Sequence, residues 1–286
     1  MEVTNKKFAI FILTHGRPNK VLTYRALKKQ GYTGKIYIII DNEDKTAKEY
    51  YKNFDNVVMF DKKAIAETFD VGDNFNKKRN SIVYARNASF NIAKDLGVEY
   101  FMQFDDDYTT FRYTADENGK YLTKSRHIKN LDTIFNILLK YYLSINAKSL
   151  CIAQGGDFIG GDQSRVFKHK LVRKAMNSFL CSIHRPFQFI GRINEDVNIY
   201  TSLGSKGDLF LTIADLRLEQ LDTQTNKGGM TDLYLDSGTY IKSFYTVMFA
   251  PSCTKINRMG NVHKRLHHRI SWNNAVPCIV KESLKK

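Results

Sequence analysis

At 286 residues, with four prolines and 17 glycines scattered along it, the chain can bury a full core as one large α/β domain, and neither a Pro/Ser-rich linker nor an internal repeat divides it. Four cysteines, Cys151, Cys181, Cys253 and Cys278, form no C-x-x-C pair, which excludes a zinc ribbon or a redox motif and predicts reduced, mostly buried thiols. Forty-four Lys and Arg against 29 Asp and Glu give a formal charge of +15, which aids solubility and also favours polyanionic partners, nucleic acid first among them.

The first apolar run, Phe8-Ala9-Ile10-Phe11-Ile12-Leu13, is too short for a signal sequence, and no later run approaches a membrane span, so a soluble, cytoplasmic protein without a membrane partner is expected. The run reads as a central parallel strand, apolar on both faces, that ends in Thr14-His15-Gly16-Arg17-Pro18. Residues 19–30 have helical spacing, closed by Gly31. Lys35-Ile36-Tyr37-Ile38-Ile39-Ile40 is a second strand that runs into Asp41. Residues 46–53 read as a helix, Val57-Val58-Met59-Phe60 as a third strand, residues 61–80 as a polar connection and residues 81–96 as a buried helix.

Tyr100-Phe101-Met102-Gln103-Phe104 is a further buried strand, and Asp105-Asp106-Asp107 follow it directly. Three adjacent carboxylates repel one another unless something positive sits among them. If the chain stays extended past Phe104, Asp105 and Asp107 project to one face and Asp106 to the other. Two carboxylates on one face suit Mg²⁺ or Mn²⁺ with a nucleotide diphosphate, although a solvated acidic turn gives the same pattern. Alternating β and α elements imply a parallel sheet whose ligands bind beyond the carboxyl ends of the strands, where residues 14–17, Asp41 and the three acids all fall. Neither G-x-G-x-x-G nor G-x-x-x-x-G-K-[ST] occurs, so a dinucleotide fold and a P-loop lack support.

Residues 109–126 read as a hairpin turning at Asn118-Gly119, residues 131–143 as an amphipathic helix, and Leu150-Cys151-Ile152-Ala153-Gln154 as a strand before a glycine-rich loop at 155–162. In Asn194-Glu195-Asp196 two acids open a helix, where they serve either as first-turn acids favoured by the dipole or as functional groups. A strand at 209–214, a polar segment at 220–229 able to close over a ligand, a helix at 233–244, a separate apolar run Val247-Met248-Phe249, and a tail with His263, His267 and His268 among Lys and Arg complete the chain.

The ordered parts resemble the GT-A fold of nucleotide-sugar glycosyltransferases. Residues 8–18 are similar to its first strand and nucleotide loop, and Asp41 to the acid that contacts uridine. Ala85-Arg86-Asn87-Ala88, Gly97-Val98-Glu99-Tyr100 and Asp105-Asp106-Asp107 are similar to the "aRN…g.ey…DxD" run of inverting members, and Asn194-Glu195-Asp196 resembles the later "xED" element whose acid is the acceptor base. Within the fold, the residues 12–18 stretch and the His-rich end with Trp272 resemble a phage group found beside TET/JBP-type base hydroxylases that glycosylates modified DNA bases.

The resemblance implies a GT-A-like, Rossmann-like, mostly parallel sheet flanked by helices, with residues 1–110 as the nucleotide-sugar half and residues 111–286 as the acceptor half and metal-ligand tail of a single compact domain. It implies Mn²⁺ or Mg²⁺ on Asp105, Asp107 and one C-terminal His among His268, His263 and His267, in that order of preference, no assigned role for Asp106, and a UDP-sugar donor bound by Thr14, Arg17, Asp41, Arg86 and Asp105. Asp196 or Glu195 is then the catalytic base of an inverting reaction. The acceptor it implies is a hydroxylated base such as 5-hydroxymethylcytosine in duplex DNA, and the location is the host cytoplasm if the chain is phage-encoded. Arg17, Lys78, Arg79 and Arg86 are candidates for pyrophosphate contacts or for structural ion pairs. A protein or polysaccharide acceptor, a metal-dependent nuclease or phosphatase, and a non-catalytic nucleic-acid-binding module are the competing readings.

Overall fold

The computed structural model describes residues 7–73, 79–220, 240–259, 265–277 and 282. Lys78, His263, Cys278, the segment after Gln220 and the expected helix start at 233–239 lie outside these residues. The strands are β1 (Phe8–Leu13), β2 (Lys35–Asp41), β3 (Val57–Phe60), β4 (Tyr100–Asp105), β5 (Tyr108–Ala115), β6 (Tyr121–His127), β7 (Ser149–Gln154), β8 (Leu171–Val172), β9 (Phe179–Ser182), β10 (Phe210–Gln220), β11 (Thr254–Met259) and β12 (Arg265–Ile270). The helices are α1 (Leu22–Lys29), α2 (Ala47–Asn53), α3 (Lys62–Ala66), α4 (Val83–Asp95), α5 (Leu131–Ser144), α6 (Arg165–His169), α7 (Glu195–Ser202) and α8 (Ile241–Phe249).

All but the last two strands form one sheet in the order β3-β2-β1-β4-β9-β7-β10-β5-β6, with β8 on β10. The run β3-β2-β1-β4 is parallel, as the βα alternation requires. β9 then lies antiparallel to both β4 and β7, β10 is parallel to β7, and the β5–β6 hairpin closes the far side antiparallel to β10. The α/β architecture with helices on both faces of a central sheet is therefore the one expected.

β1 shows why its sequence is apolar throughout. Phe8, Ile10 and Ile12 pack with Leu27 of α1 and with Leu131, Phe135 and Leu139 of α5, whereas Ala9, Phe11 and Leu13 pack on the other face with Val83, Ala88 and Ala93 of α4. A strand covered on both faces has no polar side to present. Phe11 stacks on Phe101 at 4.9 Å between ring centres, and burying a ring of that size contributes about 1.5–3 kcal/mol.

Five expectations change. The chain does not stay extended through the acids: β4 ends at Asp105, and Asp106 and Asp107 form the turn into β5. The connection 61–80 contains α3, capped by the Asp61 carboxylate, which accepts from the Ala64 amide at 2.9 Å. Val247-Met248-Phe249 is the last turn of α8 rather than a separate run, and the tail after Ser252 is a two-stranded ribbon, β11 against β12. The glycine-rich stretch folds as two short 3₁₀ turns, at Gly155–Phe158 and Gly161–Gln163. Cys151, Cys181 and Cys253 are free and buried.

Candidate active site

The carboxyl ends of β1, β2 and β4 bring the first polar groups together. Thr14 Oγ1 donates to Asp106 Oδ2 at 2.6 Å and lies 2.9 Å from the Tyr50 hydroxyl, which accepts from the Arg17 amide at 2.8 Å. The Arg17 guanidinium, about a quarter exposed, sits 3.2 Å from the other oxygen of Asp106. Asp106, without a role in the resemblance, is thus the acid that ties the loop after β1 to the turn after β4. Burial raises its pKa, against the pull of Arg17 and Thr14.

Asp41 is buried and engaged. His15 Nδ1 lies 2.7 Å and Lys62 Nζ 3.2 Å from its Oδ2, and the Glu43 amide donates to its Oδ1 at 3.1 Å. Burial would raise this carboxyl, but the His15 hydrogen bond and the Lys62 charge hold it below its ordinary value. Among the described residues it does not join the triple-acid turn in a cluster of three or more metal-capable side chains, as a two-metal hydrolase would need. Arg79 is spent on Glu43, to which its Nε donates at 2.8 Å, which is the structural alternative for that residue.

Arg86 links the two ends of the site. It is fully buried within α4, its Nη2 donating to Asp105 Oδ1 at 3.0 Å and its Nε to Glu195 Oε1 at 2.9 Å. Its guanidinium lies over the Phe179 and Phe189 rings at 5.0 and 5.7 Å, an arrangement that suits a delocalised cation. Both terminal nitrogens reach the Asn177 carbonyl at 3.4 Å, which also accepts from the Tyr108 hydroxyl at 2.8 Å. The role of Asn177 escaped the sequence; its one trace is that Asn tolerates the positive φ of 55° found there.

Desolvation dominates the three acids of the turn. Asp105 is pushed up to about 8, because burial outweighs Arg86 and because Asp107, Glu195 and Asp106 add repulsion. Asp107 rises to about 6 through burial and the neighbouring Asp106, and its buried Oδ1 has no hydrogen-bond partner among the described residues. An orphaned carboxylate oxygen in an acidic turn fits a cation, since a bound cation would satisfy the oxygen and lower both pKa values.

The two acids expected on the acceptor side, Glu195 and Asp196, open α7. Asn194 caps it in the left-handed region at φ 54°, and its amide nitrogen donates to the Lys242 carbonyl at 2.7 Å and to Thr246 Oγ1 at 3.1 Å, both on α8. Gly191 is required just before, because a Cβ there would lie 2.5 Å from Asn198 Nδ2 and 2.6 Å from Phe249. Asp196 is buried, and burial and then Glu195 raise its pKa, opposed by Arg86 and Lys174. Lys174 was not anticipated; it is paired with Asp157 at 2.5 Å.

His268 on β12 approaches this element, its Nδ1 3.4 Å from Asn194 Nδ2. Burial, helped by His267, Lys242 and Lys174, lowers its pKa to about 4, so its ring is neutral near pH 7 and able to ligate a metal. Among the described residues no three His, Cys, Asp or Glu side chains gather as a preformed metal site. The structure thus brings Arg86, Asp105 and Glu195 into contact, joins Thr14 and Arg17 to the same turn through Asp106, and sets His268 beside Asn194.

The family model of the TET-associated glycosyltransferases matches residues 8–229, and the chain belongs to that family. It is a glycosyltransferase, which removes the nuclease and non-catalytic readings. Among solved structures it is similar to glucosyl-3-phosphoglycerate synthase from Mycobacterium tuberculosis in complex with Mn²⁺, uridine diphosphate and phosphoglyceric acid, with a TM-score of 0.47 and 9% identity over 94% of this chain and 88% of that one. It is also similar to residues 1–349 of S. aureus TarS, with a TM-score of 0.42 and 10% identity over 84% of this chain and 65% of that one. No curated protein matches the chain. Among the described residues no helix is long and apolar enough to cross a membrane.

Proposed function

We propose that the chain moves a sugar from a UDP-sugar to the hydroxyl of a modified base, of the 5-hydroxymethylcytosine type, in duplex DNA. Arg86 carries the reading: one buried guanidinium holds a donor-side carboxylate, Asp105, and an acceptor-side carboxylate, Glu195, so that both partners of a transfer meet at one point. Residues 1–110 serve as the nucleotide-sugar half and residues 111–286 as the acceptor half.

On the donor side, Asp41, kept anionic by His15 and Lys62, accepts from the uracil ring, and the partly exposed Arg17 answers the diphosphate. Thr14 and Arg86 hold Asp106 and Asp105 in place for that purpose. Asp107, Asp105, His268 and His263 would hold Mn²⁺ or Mg²⁺, which when bound stabilises the charge that develops on the leaving diphosphate.

Asp196 is the general base, with Glu195 fixing the site through Arg86. A buried carboxyl with a raised pKa retains a captured proton better than an ordinary Asp, which matches it to removing the acceptor hydroxyl proton. As the proton leaves, the hydroxyl oxygen bonds to the anomeric carbon, and the bond to UDP breaks on the opposite face with its electron pair going to phosphate oxygen. The outcome is inversion.

The test uses radiolabelled UDP-sugars with Mn²⁺ and two duplexes that differ only in 5-hydroxymethylcytosine against cytosine. Label on the modified duplex alone is expected. Equal label on both, or label on protein or polysaccharide instead, overturns the acceptor; no transfer from any UDP-sugar overturns the donor.

A further inference from the structure

Between Ser237 and Lys281 the chain has seven Lys and Arg and not one Asp or Glu. The centre of this stretch is the β11–β12 ribbon. Its register pairs Lys255 with Arg269 and Asn257 with His267 on one face, and Thr254 with Ile270, Ile256 with His268 and Arg258 with Leu266 on the other. The second face is anchored along most of its length, although Arg258 and Leu266 near the tip are exposed: Thr254 is buried, Ile270 packs against Ala250, Cys253 and Ala275, His268 meets Asn194, and the Leu266 carbonyl accepts from Ser243 of α8 at 3.4 Å. The first face is outward, with Lys255, Asn257 and Arg269 exposed.

Charge alone does not single this face out, because the β5–β6 side is basic too. There, however, Glu219 accepts from Arg112 at 3.1 Å and from Arg217 at 2.8 Å, so much of the positive charge is answered within the protein. Among the described residues neither Lys255 nor Arg269 has an acidic partner. A two-stranded β-ribbon fits the major groove, about 12 Å wide, and a substituent on C5 of a pyrimidine projects into that same groove. The ribbon also lies directly beside the acids, since Asn194 meets His268 and immediately precedes Glu195.

We propose that the outward face of β11–β12 docks in the major groove of duplex DNA, with Lys255 and Arg269 on backbone phosphates and Asn257 toward a base edge, so that the modified base is delivered to Asp196. The assignment rests on the DNA-acceptor reading above. It adds the element that holds the duplex and the groove from which the acceptor hydroxyl is taken.

Fluorescence anisotropy of a labelled duplex carrying 5-hydroxymethylcytosine, titrated across salt concentrations, tests it. For the double variant Lys255→Ala/Arg269→Ala the slope of log K against log salt becomes shallower by about 1.8, roughly 0.9 for each phosphate that is no longer neutralised. Transfer to the duplex falls with it, while hydrolysis of the UDP-sugar in the absence of acceptor is unchanged. The control Lys28→Ala/Lys35→Ala, at the carboxyl end of α1 and the amino end of β2, away from the acids, leaves the slope as it was. If wild-type protein labels DNA but the ribbon variant keeps its slope and rate, or the control loses as much, the docking is overturned and the acceptor reading stands. If wild-type protein labels no DNA, both fall.

Discussion

The two acid groups of the site are built on opposite principles. Glu195 and Asp196 sit at the start of a helix behind a cap whose every strong contact is internal, and Glu195 already has its cation in Arg86. Among the described residues the turn of Asp105, Asp106 and Asp107 is short of positive charge: Arg86 serves the first, Arg17 and Thr14 the second, and a buried oxygen of the third has no partner. One end has its cation as folded, and the other has room for one. In the proposed reaction a fixed base can wait for an acceptor, while the diphosphate would arrive with the divalent cation that the acidic turn lacks.

The largest effect belongs to the residue both ends share. Arg86→Met should reduce transfer to background and destabilise the fold by about 3–5 kcal/mol, the usual cost of leaving buried carboxylates without their cation, read from denaturant midpoints. Unchanged stability would mean that the acids are not held by Arg86 in solution.

Asp107→Asn should separate activity from stability. Transfer is lost, while the fold gains, because a carboxyl whose pKa is raised on folding stabilises only when protonated, and that contribution disappears as pH rises through about 6. With chelator present, the melting temperature of the variant should therefore exceed that of wild type increasingly from pH 5 to pH 8. A variant that melts lower at pH 8 would contradict the shortage of positive charge.

Asp196→Asn should cut turnover by roughly 10²–10⁴ with UDP-sugar affinity intact, the size of a lost general base. In wild type the acidic limb of the pH profile should lie above the ordinary carboxylate range, since the base works deprotonated and burial raises its pKa. Normal turnover in this variant and in Glu195→Gln would point to retention.

Smaller still, His268→Gln should raise the Mn²⁺ concentration needed for half-maximal rate while His267→Gln does not. Equal responses would take β12 out of the metal site. Arg79→Ala, which breaks a surface pair with Glu43, should change stability by no more than about 1 kcal/mol and leave turnover unchanged.

How much of this was legible follows from the range of the interactions involved. β1 and β2 announce themselves because burial on both faces leaves only apolar residues, and the β5–β6 hairpin because Asn118-Gly119 marks its turn, with Gly119 at φ 73°. β9 has four residues and no local mark, since its place is set by β4 and β7, far away in sequence. The ribbon was hidden because its outward residues are Lys, Asn and Arg, which read as a solvated tail. In the site, the acids and Arg86 could be seen as residue types, but not the contact that spans 109 positions from Arg86 to Glu195. The turn at Asp106 and Asp107 could not be seen either, because extension past Phe104 was the simplest continuation of the strand.

The position of β9 has a consequence for how the chain comes off the ribosome. β4 is complete by Asp105, with β1 on one edge, yet its other edge has no strand until Phe179–Ser182 emerges, more than seventy residues later. Through that interval the most apolar part of the sheet exposes unpaired backbone amides and carbonyls, the kind of border on which nascent chains associate. Synthesis that stalls between those two strands therefore leaves that edge open. A fragment cut at residue 110 would lack β9 and keep that edge of β4 open, so the proposed nucleotide-sugar half is not expected to fold alone.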